Sequence, residues 1–469
     1  MKLIYGIKDR PKLGQVIIFA IQQLLAIMAA TLVVPVIINT SGSMPPFAPQ
    51  MSSAAALFGA GIGTLVYLLF TRFKSPVFLG SSFAFIGSMC SAFAGAISAQ
   101  AGYLGLIIGA VCAGLVYVVI ALIVKFAGVK WISKLMPAVV IGPTVAIIGL
   151  SLAGNAIGDL QTAPAGGSVY VAILCGLVTL AVTMLCATFG KKMIRLIPFI
   201  MGILAGYAVA TVFTVIGNVA DIDALKVINF APLTNLFTDF SIKSIVSVPD
   251  FTFVEALKGV KDIDAAYVGT VAVAYAPVAF VVFAEHIADH KNLSTIIESD
   301  LLEEPGLHNT LLGDGVGSMA GAIFGGCPNT TSGESVGCVA ITGNASVITI
   351  LTTAIMAIVI SFLSPFVAFV NTIPSCVMGG VCMALYGFIA VSGLKMIQKV
   401  DLEQNRNLFV VSVILITGIG GLSVSFGKVT LTTIACALIL GILANVMLGR
   451  KDKKKDEEAP ASEDNTYEL

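Results

Sequence analysis

Of the 469 residues, 57% are hydrophobic and only 11% are charged. A water-soluble chain of this length cannot hide that much apolar surface, which excludes a soluble enzyme or a nucleic-acid-binding protein. The net charge is zero, so the chain as a whole carries no electrostatic preference for a partner.

The opening segment, "MKLIYGIKDRPKLG", is basic and polar, and the first apolar run begins near Val16. That run is too long for a signal-peptide core and has no small-residue cleavage site, so it is read as the first membrane span. Further apolar segments follow near 52–70, 77–97, 103–126, 137–153, 168–188 and 195–216. After a long loop, 217–265, come 266–290, 309–326, 334–342, 347–370, 374–394, 407–424 and 430–448. Most match the roughly 20 residues that cross a bilayer. The expected fold class is an all-α polytopic membrane protein of fourteen transmembrane segments. Residues 1–15 form an N-terminal segment, 16–216 and 266–448 two halves of seven, and 449–469 a charged, disordered tail.

Loop charge orients this chain. Arg72 and Lys74, Lys125, Lys130 and Lys134, Lys191, Lys192 and Arg195, and Lys395, Lys399 and Arg406 fall on one side with the Lys-rich tail. The opposite loops, 39–51, 98–102, 154–167 and 366–373, hold almost no basic residue. Basic loops stay inside, so both termini are expected in the cytoplasm, and the mixed-charge 217–265 loop is expected to be extracellular.

Nine cysteines are scattered, among them Cys112, Cys175, Cys186, Cys382 and Cys436 within apolar runs. They read as small buried residues, not as a disulfide frame. His286, His290 and His308 cluster without a cysteine at ligand spacing, so neither a metal nor another cofactor is expected.

The halves echo each other. "MPAVVIGPTVAIIGLSLAG" (136–154) resembles "IPSCVMGGVCMALYGFIAVSG" (373–393), with Pro137 and Pro374 each followed by Val three residues on and Gly five residues on. Two halves of seven spans lie in opposite orientations because seven is odd, and inverted repeats of this kind characterise transporters. "GVGSMAGAIFG" (315–325) spaces Gly317, Gly321 and Gly325 by four, which suits close helix packing or sliding.

Two segments are interrupted. In "CPNTTSGESVG" (327–337), Pro328 and the Asn329–Thr331 run favour extended backbone. Ser332 then reads as the N-cap of a helix too short to span. "VFLGSSFAFIG" (77–87) has the same grammar, with Gly80, Ser81 and Ser82 before a helix start at Phe83. These are segments 3 and 10, and each is expected to carry a short strand. Irregular backbone at membrane depth is tolerated where it lines a cavity. Half-helices starting there point unpaired amides and a positive dipole end at a ligand.

Two carboxylates sharpen this reading. Glu334 lies in the first turn of the second half-helix. Hydropathy alone puts Glu285 at the end of its span; a helix that starts later and runs toward Ile297 brings it near mid-depth. Asp289, four residues on, shares that helix face. Asp289 reads either as part of the site or as an ordinary helix end, and His290 and Lys291 as an ordinary cytoplasmic helix end. Acceptors beside amide donors complement a planar ring edge that alternates C=O and N–H. Two carboxylates in one pocket repel, so one is expected to hold a proton. Phe83 offers a ring face for stacking.

The segments "LGSSFAFIG", "AEHIADH" and "PNTTSGESVGCVAIT" resemble the signatures of bacterial uracil permeases, within the nucleobase–ascorbate transporter family of nucleobase:cation symporters. The resemblance runs over roughly 15–448. It implies proton-coupled uptake of a nucleobase across the cytoplasmic membrane, short antiparallel strands in segments 3 and 10, and a core of spans 1–4 and 8–11 beside a gate of spans 5–7 and 12–14. It implies that Glu285 and Glu334 hydrogen-bond the base and that the amides of Phe83 and Gly333 bind its carbonyls. A homodimer through the gate is a further implication. The chain departs from the pattern in three places. Gln23 stands where the family has His, which puts a proton-coupling or supporting role there in doubt. Asp289 stands where uracil permeases have His and resembles the xanthine and urate branch. Ser332 stands where Tyr is usual. Purine carriers, however, have Gln where this chain has Glu334, so uracil is the first expectation and xanthine or urate the second. An anion exchanger of the same architecture would need a basic residue near the half-helix ends, and 77–98 and 326–347 contain none.

Overall fold

The computed structural model describes residues 3–45, 48–128, 137–164, 166–191, 193–238, 241–426 and 429–456. Lys130, Lys134, Lys192 and the tail beyond Asp456 lie outside the described residues. Helix dominates, and among the described residues eight helices are long and apolar enough to cross a membrane, from Leu13–Thr40 to Ser375–Ile397. In a membrane this is the way to satisfy backbone groups that water cannot reach.

Three antiparallel pairings organise the described part of the chain. Helix Ser53–Phe70 packs on Leu307–Gly325 through glycines. A Cβ on Gly59 would sit 2.4 Å from Gly321 O, and one on Gly63 would sit 2.8 Å from Gly317 O. The glycine spacing therefore serves close backbone approach. Helix Ala138–Ser151 packs on Ser375–Ile397 in the same manner. Gly142 faces Gly393 and Gly149 faces Ala390. Pro137 and Pro374 each occupy the N-cap position of these two helices, so the echo seen in sequence is also an echo in structure. The third pair is a two-stranded sheet of β1 (Leu79–Ser81) and β2 (Asn329–Thr331), in register Leu79↔Thr331, Gly80↔Thr330 and Ser81↔Asn329.

Several sequence expectations are corrected. The segment expected at 137–153 continues past a kink at Leu152 as Ala153–Leu160. Leu152, Ala156 and Leu160 are buried at four-residue spacing, and that apolar stripe keeps residues with loop-like composition helical. The run at 347–370 is two helices, Val347–Ser361 and Ser364–Thr372. Pro365 sits in the first turn of the second, where a missing N–H costs nothing. The helix carrying Glu285 does not start late. It spans Ala265–Ile297, 33 residues, because the Asp264 side chain caps it by accepting from Tyr267 N–H at 2.7 Å. Residues 407–448 are helices Asn405–Ile419 and Thr433–Asp456 joined through a hairpin, β3 (Val424–Phe426) with β4 (Val429–Leu431). The last helix carries eight residues into the segment expected to be disordered; neither Gly nor Pro interrupts 450–456.

Candidate substrate site

The two breaks meet. Beyond β1, Ser82 N–H donates to Pro328 O at 2.9 Å, and a turn of 3-10 helix, Phe83–Phe85, leads into helix Ile86–Ala94. The expected helix start at Phe83 is thus a tighter turn first. Beyond β2, Ser332 caps helix Gly333–Thr342 by accepting from Ser335 N–H at 3.4 Å. Both helices begin beside a cavity of about 450 Å³. A separate cavity of about 180 Å³ is walled by apolar side chains such as Met28, Leu32, Phe366 and Phe369.

The larger cavity has two unlike walls. One carries Ser82, Phe83, Glu285, Asp289, Ser332, Gly333 and Glu334. The facing wall is chiefly apolar, with Val145, Ile148, Phe199, Leu385, Phe388 and Ile389. Among the described residues neither wall contains Lys or Arg. A flat, uncharged molecule with polar edges fits between such surfaces.

Each carboxylate is positioned differently. Glu285 opens directly into the cavity from the long helix. Asp289, one turn later, accepts the Thr331 hydroxyl at 3.0 Å on Oδ2. It belongs to the cavity wall and is not an exposed helix end. Glu334 Oε2 accepts the Ser332 hydroxyl at 2.8 Å, beside the helix N-terminus that favours negative charge. The Phe83 ring meets Tyr386 edge-on at 6.3 Å. Gln23 does not line the cavity. It is buried, and its Nε2 donates to Ser335 Oγ, which also accepts Phe78 N–H at 3.0 Å. Gln23 thus ties the first helix to both breaks.

Lys291 is exposed as expected, but His290 is not a helix-end residue. It is fully buried, with Nδ1 2.8 Å from His286 O and Nε2 2.7 Å from the Tyr67 hydroxyl. A carbonyl only accepts, so Nδ1 carries the proton and Nε2 is left as the acceptor, beside the hydroxyls of Tyr67 and Ser75. His286 is also buried, with Nδ1 2.8 Å from Asp314 Oδ2. These groups lie behind the cavity wall. In the sequence His286 and His290 stood out only as a cluster without ligand spacing, and Asp314 is an acid inside an apolar run. Thr331 and Ser335 lay within the quoted motif, but their partners come from distant segments.

Comparison with known proteins now places the chain. Residues 14–426 match the Permease family. The chain belongs to this family. It is 36% identical over 450 residues to the uracil permease of Bacillus caldolyticus, covering 95% of each chain. It is 36% identical over 470 residues to the uracil permease of Bacillus subtilis (strain 168), covering 98% of each. With the uracil permease of Escherichia coli (strain K12) it shares 34% over 441 residues, 93% of this chain and 92% of that one. Its fold is similar to the transmembrane domain of the cyanobacterial bicarbonate transporter BicA, with a TM-score of 0.60 at 16% identity, covering 94% of this chain and 99% of that one. It is also similar to the murine anion transporter Slc26a9 in the inward-facing state, with a TM-score of 0.60 at 12% identity, covering 95% and 69%. The chain is a multi-pass membrane permease with the fold of these transporters.

Proposed function

We propose that this permease takes up a nucleobase, uracil first, together with a proton across the cytoplasmic membrane. The observation that carries the reading is one cavity holding Glu285, Asp289 and Glu334 beside two helix starts, with no basic residue among the described residues of its walls. Carboxylates accept the ring N–H groups, and the amides of Phe83 and Gly333 donate to the ring carbonyls. Phe83 packs on the ring face, and Ser82 and Ser332 support the helix starts. Three acidic groups without a basic neighbour need a cation to neutralise them, and a proton is the smallest that can enter with a neutral base. The uracil permeases among the relatives support the substrate.

Anion transport, the activity named for the two fold neighbours, is disfavoured because an anion would meet three carboxylates and no cation. The competing reading is xanthine or urate. It rests on Asp289, which Thr331 holds in the wall where uracil permeases have His.

Fourteen segments in two inverted halves, with both termini cytoplasmic, remain the architecture we propose. Four shorter apolar helices, Phe83–Ala94, Val347–Ser361, Asn405–Ile419 and Thr433–Gly449, join the eight long ones. Leu307–Gly325 and Gly333–Thr342 complete the set. The polar wall then belongs to a core and the apolar wall to a gate, through which two copies pair.

The deciding experiment is uptake of radiolabelled uracil by cells expressing the chain, with unlabelled uracil, xanthine, urate and adenine as competitors. Uracil competing best supports the proposal. Xanthine or urate competing best selects the second reading, and no uptake of any base removes both.

A further inference from the structure

The half-helix Gly333–Thr342 is gripped at both ends. At its start, Gln23 holds Ser335. Its far end is met by the N-terminal segment, Leu3–Asp9. Gly343 closes the helix in the left-handed conformation, φ +67°, and its carbonyl accepts Ile4 N–H at 2.7 Å and Tyr5 N–H at 3.2 Å. Ala345 N–H returns a bond to Tyr5 O at 2.9 Å, and Val347 N–H donates to Ile7 O at 3.2 Å. The Ser346 hydroxyl donates to Asp9 O at 2.7 Å. Tyr5 and Asn344 form a parallel bridge. The segment is itself anchored, since the Tyr5 hydroxyl donates to Gln15 Oε1 at 2.8 Å and Ile7 packs with the apolar cluster containing Val336 and Val339.

We propose that residues 3–9 are a positioning strap for the substrate site, acting through this half-helix. The proposal rests on Glu334 belonging to that site. Ten residues of helix span only about 15 Å, too short to bend, so displacement at Gly343 is delivered to Ser332–Glu334. The other half-helix, Ile86–Ala94, is met at its end by one side chain, the Tyr267 hydroxyl donating to Ala92 O at 2.7 Å, and among the described residues no outside backbone segment pairs with it. The strap therefore breaks the symmetry of the two sites of interruption and acts on the side that carries Glu334.

The test removes the two strap donors and leaves the cavity untouched. Ile4→Pro/Tyr5→Pro deletes both N–H groups that reach Gly343 O; Ile4→Ala keeps them and the Tyr5 hydroxyl anchor and is the conservative partner. Each full-length variant is compared in uracil uptake and in hydrogen exchange of the 337–342 amides. The proline variant is expected to raise KM about tenfold with Vmax within about twofold, the scale of losing one or two hydrogen bonds. Its 337–342 amides are expected to exchange faster, and the conservative variant is expected to match wild type in both. Unchanged exchange overturns the strap. Faster exchange with unchanged KM, or with Vmax falling alone, overturns its positioning role. Wild-type uptake separates the two ideas: its failure removes the reading of the site, and the strap then stands or falls on exchange alone.

Discussion

Thr331 donates its hydroxyl to Asp289 Oδ2 at 3.0 Å, tying the last residue of a three-residue strand to the helix that carries Glu285. One hydrogen bond thus joins two elements that both supply the cavity wall, and it uses one oxygen of Asp289.

Thr331→Val keeps the shape and removes that donor. Uracil KM is expected to rise about tenfold, since a hydrogen bond to a carboxylate is worth more than a neutral one. Thr331→Ser should stay near wild type. Concentration-dependent uptake measures both, and equal KM values for Val and Ser would detach Asp289 from substrate binding.

Glu285→Ala should abolish detectable binding, a loss of roughly a hundredfold or more, while the protein still reaches the membrane folded. Equilibrium binding of labelled uracil to purified protein, with a size-exclusion profile as the folding control, decides it. Retained affinity would refute the role of Glu285.

Glu334→Gln exchanges an acceptor for an amide that also donates. Uracil uptake should fall severely, or preference should move toward purines. Wild-type rate and unchanged selectivity would take Glu334 out of the site.

Coupling is tested without mutation. Uptake is expected to collapse when a protonophore dissipates the proton gradient and to survive replacement of sodium by choline. The opposite pattern would reassign the coupling ion.

Ser335 is a structural hub. Ser335→Ala leaves Gln23 Nε2 and Phe78 N–H buried without their acceptor, at roughly 1–3 kcal/mol each. Thermal unfolding in detergent should show a clear drop in Tm. Gly321→Ala should be as damaging, because its Cβ would lie 1.9 Å from Asn329 Nδ2, which donates to Gly59 O at 3.0 Å. A stable Gly321→Ala protein would mean that the Asn329 side chain or β2 can move aside.

Much of the candidate site was legible because its grammar is local. Pro, β-branched residues and Asn before Ser332 announce extended chain and then a capped helix, and the strand and cap are found there. Glu285 and Glu334 stood out because a carboxylate inside an apolar run is conspicuous. His290 was misread for the opposite reason: beside Asp289 and Lys291 it looks like a polar helix end, and only Tyr67, 223 residues away, explains its burial.

Composition and periodicity by themselves determined that this chain lives in a membrane, that it is helical, and that two segments break within it. Those properties follow from each segment's own need to satisfy its backbone away from water. Folding decided which acids face one cavity, that Gln23 braces the site from outside it, and that residues 3–9 close over the end of the second half-helix. These depend on hydrogen bonds between groups tens to hundreds of residues apart, whose partners no local pattern names.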